Sequence, residues 1–440
     1  MRIEKWLRTS HIARLILLSL LISLSPGVVQ AKWSFTPRIF VEQQYDDNLF
    51  LTETAEQDDF ATVIGPGISF GFESPTSLVE LDYQYRKFFY YDFTELDYDD
   101  HRGTLEARKD FTPWFSAGVR DRFIRSEDPI ELTGAQEFER PSIRAGERNR
   151  YTRNIFEPEA TIKFGEMSSI KLGYRNRILR NKADDEADQD ENAGNALLTY
   201  RLNIHNELQL YYEHINQNYD QTDPPQLPRD FKADVTRGQY TYYFSPKTSI
   251  FVEHRYVNKD LDEESAVFFD YEIHNPRVGF SRDLYENLNL KVSGGYALRK
   301  ADDTDDEEIF TGRLDSSGEY KSLNVTVYGE RGFFDDYTSA DSDGFYKFWR
   351  TGLDARYQIL ERLWLDGFLF FEKDNFVDRD RTDKFYNARA RLNYRILKWA
   401  YLSLDYQYNQ RDSDIPAGDY DRNRVFFRIT FEYDVAEQYQ

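Results

Sequence analysis

From Arg424 to Val435 the chain reads R-V-F-F-R-I-T-F-E-Y-D-V, and its two parities differ in chemistry. Val425, Phe427, Ile429, Phe431, Tyr433 and Val435 fall on one side; Arg424, Phe426, Arg428, Thr430, Glu432 and Asp434 fall on the other. Side chains of an extended strand alternate between faces, so this segment has one apolar face and one mostly polar face. The pattern recurs along the chain. Leu81, Tyr83, Tyr85, Phe89 and Tyr91 alternate with Glu80, Asp82, Gln84 and Arg86. Leu402, Leu404, Tyr406 and Tyr408 stand opposite Ser403, Asp405, Gln407 and Asn409. The clearest case sets Tyr386, Ala388, Ala390, Leu392 and Tyr394 against Asn387, Arg389, Arg391, Asn393 and Arg395. Tyrosines at both ends of that apolar face sit where a belt at each membrane surface would place them. A slip of one residue would put Arg389 and Arg391 into lipid, at ~2–4 kcal/mol each, so the register is well determined.

Connections alternate between short and long. Turns such as Ser74–Ser77, Ser245–Thr248 and Leu397–Ala400 separate polar stretches such as Leu49–Asp59, Ser126–Asn149 and Arg411–Asp421. Nine turns and ten loops join twenty strands; eighteen is the other count the boundaries allow. A soluble sandwich, propeller or solenoid also alternates. Here apolar faces run for five or six alternations, enough for a tilted membrane strand, and no constant sequence period marks a repeat. The predicted fold is all-β: a transmembrane antiparallel up-and-down β-barrel with short periplasmic turns and long extracellular loops.

The first residues change the compartment. Arg2, Lys5, Arg8 and Arg14 flank an apolar run from Leu15 to Leu24, then Pro26-Gly27 and the small-residue site Val29-Gln30-Ala31. This predicts a secretory signal peptide over residues 1–31 and one barrel domain over 32–440. The run is too short to cross a bilayer as a helix. Mean hydropathy is −0.73, which a barrel tolerates because its inner face and loops are polar. There are no cysteines, so neither disulfides nor thiolate metal sites arise. With 78 acidic against 56 basic residues, a net −22, the chain has no field for nucleic acid.

At the end of the first strand the sequence Tyr45-Asp46-Asp47-Asn48-Leu49-Phe50 resembles the opening Y-x-D-N-[IL]-F of an outer-membrane family, beta-barrel porin 2. Members are frequently encoded with exopolysaccharide biosynthesis and export systems. The resemblance therefore implies a conduit in the cell outer membrane for secreted polysaccharide, with periplasmic polysaccharide-export components as partners. Periodicity by itself gives a barrel only. A general diffusion porin for small solutes and a non-conducting structural or adhesive barrel are the alternatives. Outer-membrane lipid and the barrel-assembly machinery are partners of any such chain, and the assembly signal is expected at Phe427–Tyr433, since Ala436–Gln440 follow the last strand.

Several positions are candidates to line the pore. Asp82 and Arg86, Trp364, Phe368 and Phe370 beside Asp366 and Glu372, and Arg389, Arg391, Arg395 and Arg428 all fall on the polar parity. Phe88 and Tyr90 share it. Sugars lay C–H faces on aromatic rings and bond their hydroxyls to charged groups, so this mixture suits a saccharide path; packing under an infolded loop explains the aromatics equally well. The arginines read either as a structural charge ladder or as an anion selector. The long loop Ser126–Asn149 is able to fold inward and narrow the pore, or to stand as a solvated cap. Acidic runs at Asp184–Glu191 and Asp302–Glu308 lack the glycine spacing of a calcium loop and read as solvated surface. Asp99-Asp100-His101 with Asp46-Asp47 superficially resembles an acid-plus-histidine protease rim, but such chemistry needs a placed water and partners across strands. The six histidines show no metal spacing. No enzyme activity, cofactor or metal is expected.

Overall fold

The computed structural model describes residues 31–131, 142–143, 148–183, 186–220, 230–262, 269–285, 287–301, 306–336, 344–377, 380–415 and 418–435. The predicted signal segment before Ala31, part of the loop after Ser126, the acidic pairs Asp184-Asp185 and Asp302-Asp303, and Ala436–Gln440 lie outside the described residues.

Twenty strands form one closed antiparallel sheet. Each strand pairs with its sequence neighbours, and the first (Lys32–Asp46) also pairs with the last (Tyr420–Glu432). A closed sheet leaves no unpaired edge, the one arrangement in which strands can cross hydrocarbon. The alternation read from the sequence is obeyed inside out. Val252, Val278 and Leu404 point outward with 58%, 61% and 50% of their surface exposed, while Glu372, Asp374 and Arg422 are buried inside. A soluble fold would reverse this; lipid supplies what the outward face lacks.

Strand ends differ from the sequence reading at the loop end. The strand Asp99–Thr112 begins inside Asp92–His101, which the sequence reads as a loop, and Leu323–Asp336 continues six residues into another such stretch, Arg331–Gly344. Strands here hold 12 to 17 residues, more than the ~9–11 that span a membrane. The surplus is polar, and it remains strand because its side chains find partners inside: Asp335 accepts from Tyr271 Oη at 2.7 Å and from Lys259. Within the long loop, Ile130–Glu131 and Ser142–Ile143 form a two-residue ladder of their own. Inward rings also cover glycines on neighbouring strands. A Cβ on Gly279 would meet the Phe251 ring at 2.1 Å, so this position admits no side chain without moving the ring.

The seam between first and last strands is short, nine residue pairs against fifteen between the first two strands. Side chains of the Tyr45–Phe50 segment reinforce it. Arg422 Nε donates to Asp46 Oδ1 and Oδ2 at 2.8 and 3.0 Å, with both residues almost fully buried. The Asn423 backbone N–H and side-chain amide donate to the two oxygens of Asp47 at 2.6 and 2.7 Å. Asn48 Nδ2 donates to the carbonyls of Asp421 and Thr52 at 2.9 and 2.7 Å. Lower in the barrel, Arg428 Nε donates to Glu42 at 2.7 Å. Each element of D-D-N thus holds a strand some 370 residues away.

Two predictions follow from this wall. Replacing outward Leu404 by Arg is expected to cost about 2–4 kcal/mol, read as a lower urea midpoint for heat-modifiable gel mobility in vesicles, whereas Asn387→Arg, opening to the interior, leaves the midpoint unchanged. Asp46→Ala strands a buried guanidinium and is expected to cost about 3 kcal/mol or more, while Asp46→Leu with Arg422→Met restores most of the loss. A single variant as stable as its parent would refute the seam lock.

Candidate functional site

The inward faces enclose two cavities. The larger, about 840 Å³, lies against the last strands; the smaller, about 500 Å³, lies against the opposite wall. Both are lined mainly by charged, amide and aromatic side chains.

Most of the sequence-predicted residues meet in the larger cavity. Arg86, Asp366, Phe368, Phe370, Arg389, Arg391 and Arg428 line it, together with Phe426 and Asn387. Their charges are arranged in forks. Arg389 and Arg391, one turn of the pleat apart on the strand Thr382–Leu397, both grip Asp405 on the next strand, at 2.7 and 2.6 Å. Arg428 pairs with Glu42 at 2.6 Å and stands over the Phe40 ring at 4.3 Å. Arg356 Nε donates to Asp366 at 2.5 Å, and Asn393 donates to its other oxygen at 2.7 Å. These four arginines and three carboxylates therefore form a ladder across six neighbouring strands, with Asp405 shared between two guanidinium groups.

Four predicted residues stand apart from the cavities. Asp82, towards the turn end, is held by both terminal nitrogens of Arg38 at 2.6 and 2.7 Å and by Ser69. Trp364 and Arg395 share the inward parity but lie near the turns Leu360–Leu363 and Leu397–Ala400. Glu372 is wholly buried against Arg350 at 3.0 Å. Period two gives the face of a residue and says nothing of its height, which explains these departures.

The loop-end mouth is where the long loop enters. Asp128, at its start, lies 3.4 Å from Arg424 and 3.8 Å from Arg422. Arg148, near its end, stands over the rings of Tyr90 and Tyr98 at 5.1 and 5.4 Å. Tyr98 stacks on Phe88 with centroids 4.3 Å apart, and these rings join Phe40, Leu49, Ala61 and Val63 in a buried cluster. Burial holds the Tyr98 hydroxyl well above its usual pKa, with Tyr90 and Asp128 adding to the effect; it remains a neutral hydroxyl. Both described ends of the loop therefore turn into the mouth, and Phe88 and Tyr90 pack beneath it.

The acid-plus-histidine rim is not assembled. His101 Nδ1 lies 2.7 Å from Tyr83 Oη on the outward face, whereas Asp100 points inward to Arg86 at 2.8 Å and Asp46 is taken by Arg422. Among the described residues no group of three or more His, Cys, Asp and Glu side chains has the disposition of a metal site.

The sequence reading passed over Arg255 and Arg277, in the smaller cavity. Both stand on inward parities of adjacent strands, Thr248–Leu261 and Tyr271–Tyr285. Their segments alternate less cleanly: outward His254, Tyr256 and His274 dilute the apolar face that would have marked the inward one.

Solved structures share the fold at very low identity. An FrpB iron transporter from Neisseria meningitidis superposes with a TM-score of 0.53 at 8% identity, covering 92% of this chain and 83% of that one. A siderophore receptor PirA from Acinetobacter baumannii gives 0.53 at 8%, covering 92% and 81%. The ferric enterobactin receptor PfeA from Pseudomonas aeruginosa gives 0.53 at 11%, covering 92% and 82%. These likenesses establish a large closed barrel and nothing about cargo. No curated protein matches the chain in sequence. The beta-barrel porin 2 family model matches residues 197–433, more than half of the chain, and the protein belongs to that family of outer-membrane barrels.

Proposed function

We propose that this barrel is a conduit through the outer membrane for secreted exopolysaccharide, delivered by periplasmic export components. The observation that carries this reading is the lining of the larger cavity: Phe368, Phe370 and Phe426 interspersed with Asp366, Asn387, Arg389 and Arg391. Flat rings offer a surface to sugar C–H faces, and the charged and amide groups are placed for hydroxyls. The chain would enter the periplasm behind a signal peptide cleaved after Ala31, leaving one barrel domain whose short turns face the periplasm. The loop through Asp128 and Arg148 then acts as the outer closure.

The purified barrel in a planar bilayer is expected to conduct, with current blocked by soluble polysaccharide added to one side. Deleting the gene is expected to lower surface polysaccharide; unchanged polysaccharide with intact conductance would instead mark a general diffusion porin, and absence of conductance a structural barrel. Asp128→Asn with Arg148→Gln removes the loop's charged contacts. A hydrogen bond to a charged group contributes about 1.5–3 kcal/mol, so loss of the Asp128 contacts alone is expected to raise the open fraction roughly tenfold or more. Identical gating in the variant would separate this loop from closure.

A further inference from the structure

Among the described residues, fourteen basic side chains line the two cavities, and twelve of them have a carboxylate within 4.0 Å. The remaining two are Arg255 and Arg277, side by side on adjacent strands. Directly opposite Arg255 in the ladder is Asn275, and opposite Arg277 is Glu253. Glu253 turns instead to Arg237 at 4.0 Å. Arg277 Nε donates only to the neutral Asn275 Oδ1, at 3.3 Å. Arg255 is exposed to the cavity and Arg277 half-buried in it. The surrounding lining carries seven basic and three acidic residues, in a chain whose net charge is −22.

We infer that Arg255 and Arg277 form a recognition site for an oxyanion, the carboxylate, sulfate or phosphate group of an anionic saccharide in transit. Two adjacent guanidinium groups repel each other, and with Glu253 and Glu330 near Arg277 but beyond 4.0 Å neither is held by a carboxylate in direct contact, so their donors stay available to an anion from outside. Guanidinium is the cation suited to this role, because its planar fork meets an oxyanion through two parallel hydrogen bonds. Their position completes the logic of the interior. Each guanidinium of the ladder beside the larger cavity has a carboxylate in contact, and that wall offers rings and hydroxyl-binding groups, whereas the opposite wall holds the two guanidinium groups that have none. The inference rests on the conduit reading and adds the charge of the cargo to it.

The test uses the full barrel in planar bilayers under a potassium chloride gradient, with heat-modifiable mobility confirming that each variant is folded. The parent is expected to pass chloride in preference to potassium. Arg255→Gln with Arg277→Gln is expected to lower the anion-to-cation permeability ratio by about threefold or more. The control Arg362→Gln with Lys398→Gln, which removes the same charge from exposed turns, is expected to leave the ratio unchanged. Polygalacturonate should block the parent at lower concentration than neutral dextran of equal length, and the arginine variant should lose that difference. A cation-preferring parent, an unmoved ratio, or equal block by both polymers would overturn the oxyanion site while leaving the conduit standing. Absence of any current would overturn the conduit reading and this inference with it.

Discussion

Closure of the last strand onto the first is the constraint on which the structure depends. Until that ladder forms, nineteen strand pairs still leave two edges bare, and bare edges are intolerable in hydrocarbon. The nine-residue backbone ladder at the seam is supplemented by side-chain bonds from Asp46, Asp47 and Asn48. The Asp46–Arg422 pair is fully buried, and a buried pair does more for specificity of partner than for raw stability. That distinction suits a closure step. Any of the nineteen other strands offers backbone groups to the first; the last presents Arg422, Asn423 and the Asp421 carbonyl to Asp46, Asp47 and Asn48 respectively. The Asp46-Asp47-Asn48 segment at the end of the first strand therefore reads as a register key for the seam.

The same closed wall dictates the interior. A polar lining in a barrel of this width brings many charges together away from bulk water, and the chain answers by pairing them, some along a strand, as Arg313 with Asp315, and many across strands. Asp405 between Arg389 and Arg391, Glu42 with Arg428, and Glu191 with Arg175 and Arg177 are all neighbours in space on adjacent strands. Each is only possible because the twist and register of the sheet are fixed, so the ladder both follows from the barrel and resists any slip of it.

What was legible in the sequence was whatever depends on period two. The outward faces of Leu404 and Val425, the inward facing of Arg389 and Arg428, the alternation of turns and the count of twenty strands all follow from residues a few positions apart. Height along the barrel axis and partnership across it do not. Trp364 and Arg395 have the right parity yet lie beside the turns, and the strand at Asp99 begins where a run of acids suggested loop. Arg422 meets Asp46 across 376 positions, a pairing that only closure creates. Arg255 and Arg277 were silent for a different reason: their distinction is the lack of a carboxylate partner, which becomes visible only when every neighbour has been placed.

That lack also bears on whether the interior is a solid core or a path. A barrel serving only as a scaffold gains nothing from interior charge, and its stablest filling is apolar or fully paired, as in the Phe40–Tyr98 cluster beneath the mouth. The two walls of the lumen depart from that ideal in different ways. One keeps paired charges facing about 840 Å³ of open space, and the other leaves Arg255 open to solvent in its own cavity. A guanidinium stays charged throughout, so one without a carboxylate in contact costs least where solvent reaches it. Arg255, exposed within the smaller cavity, therefore fits the proposed passage better than a filled core.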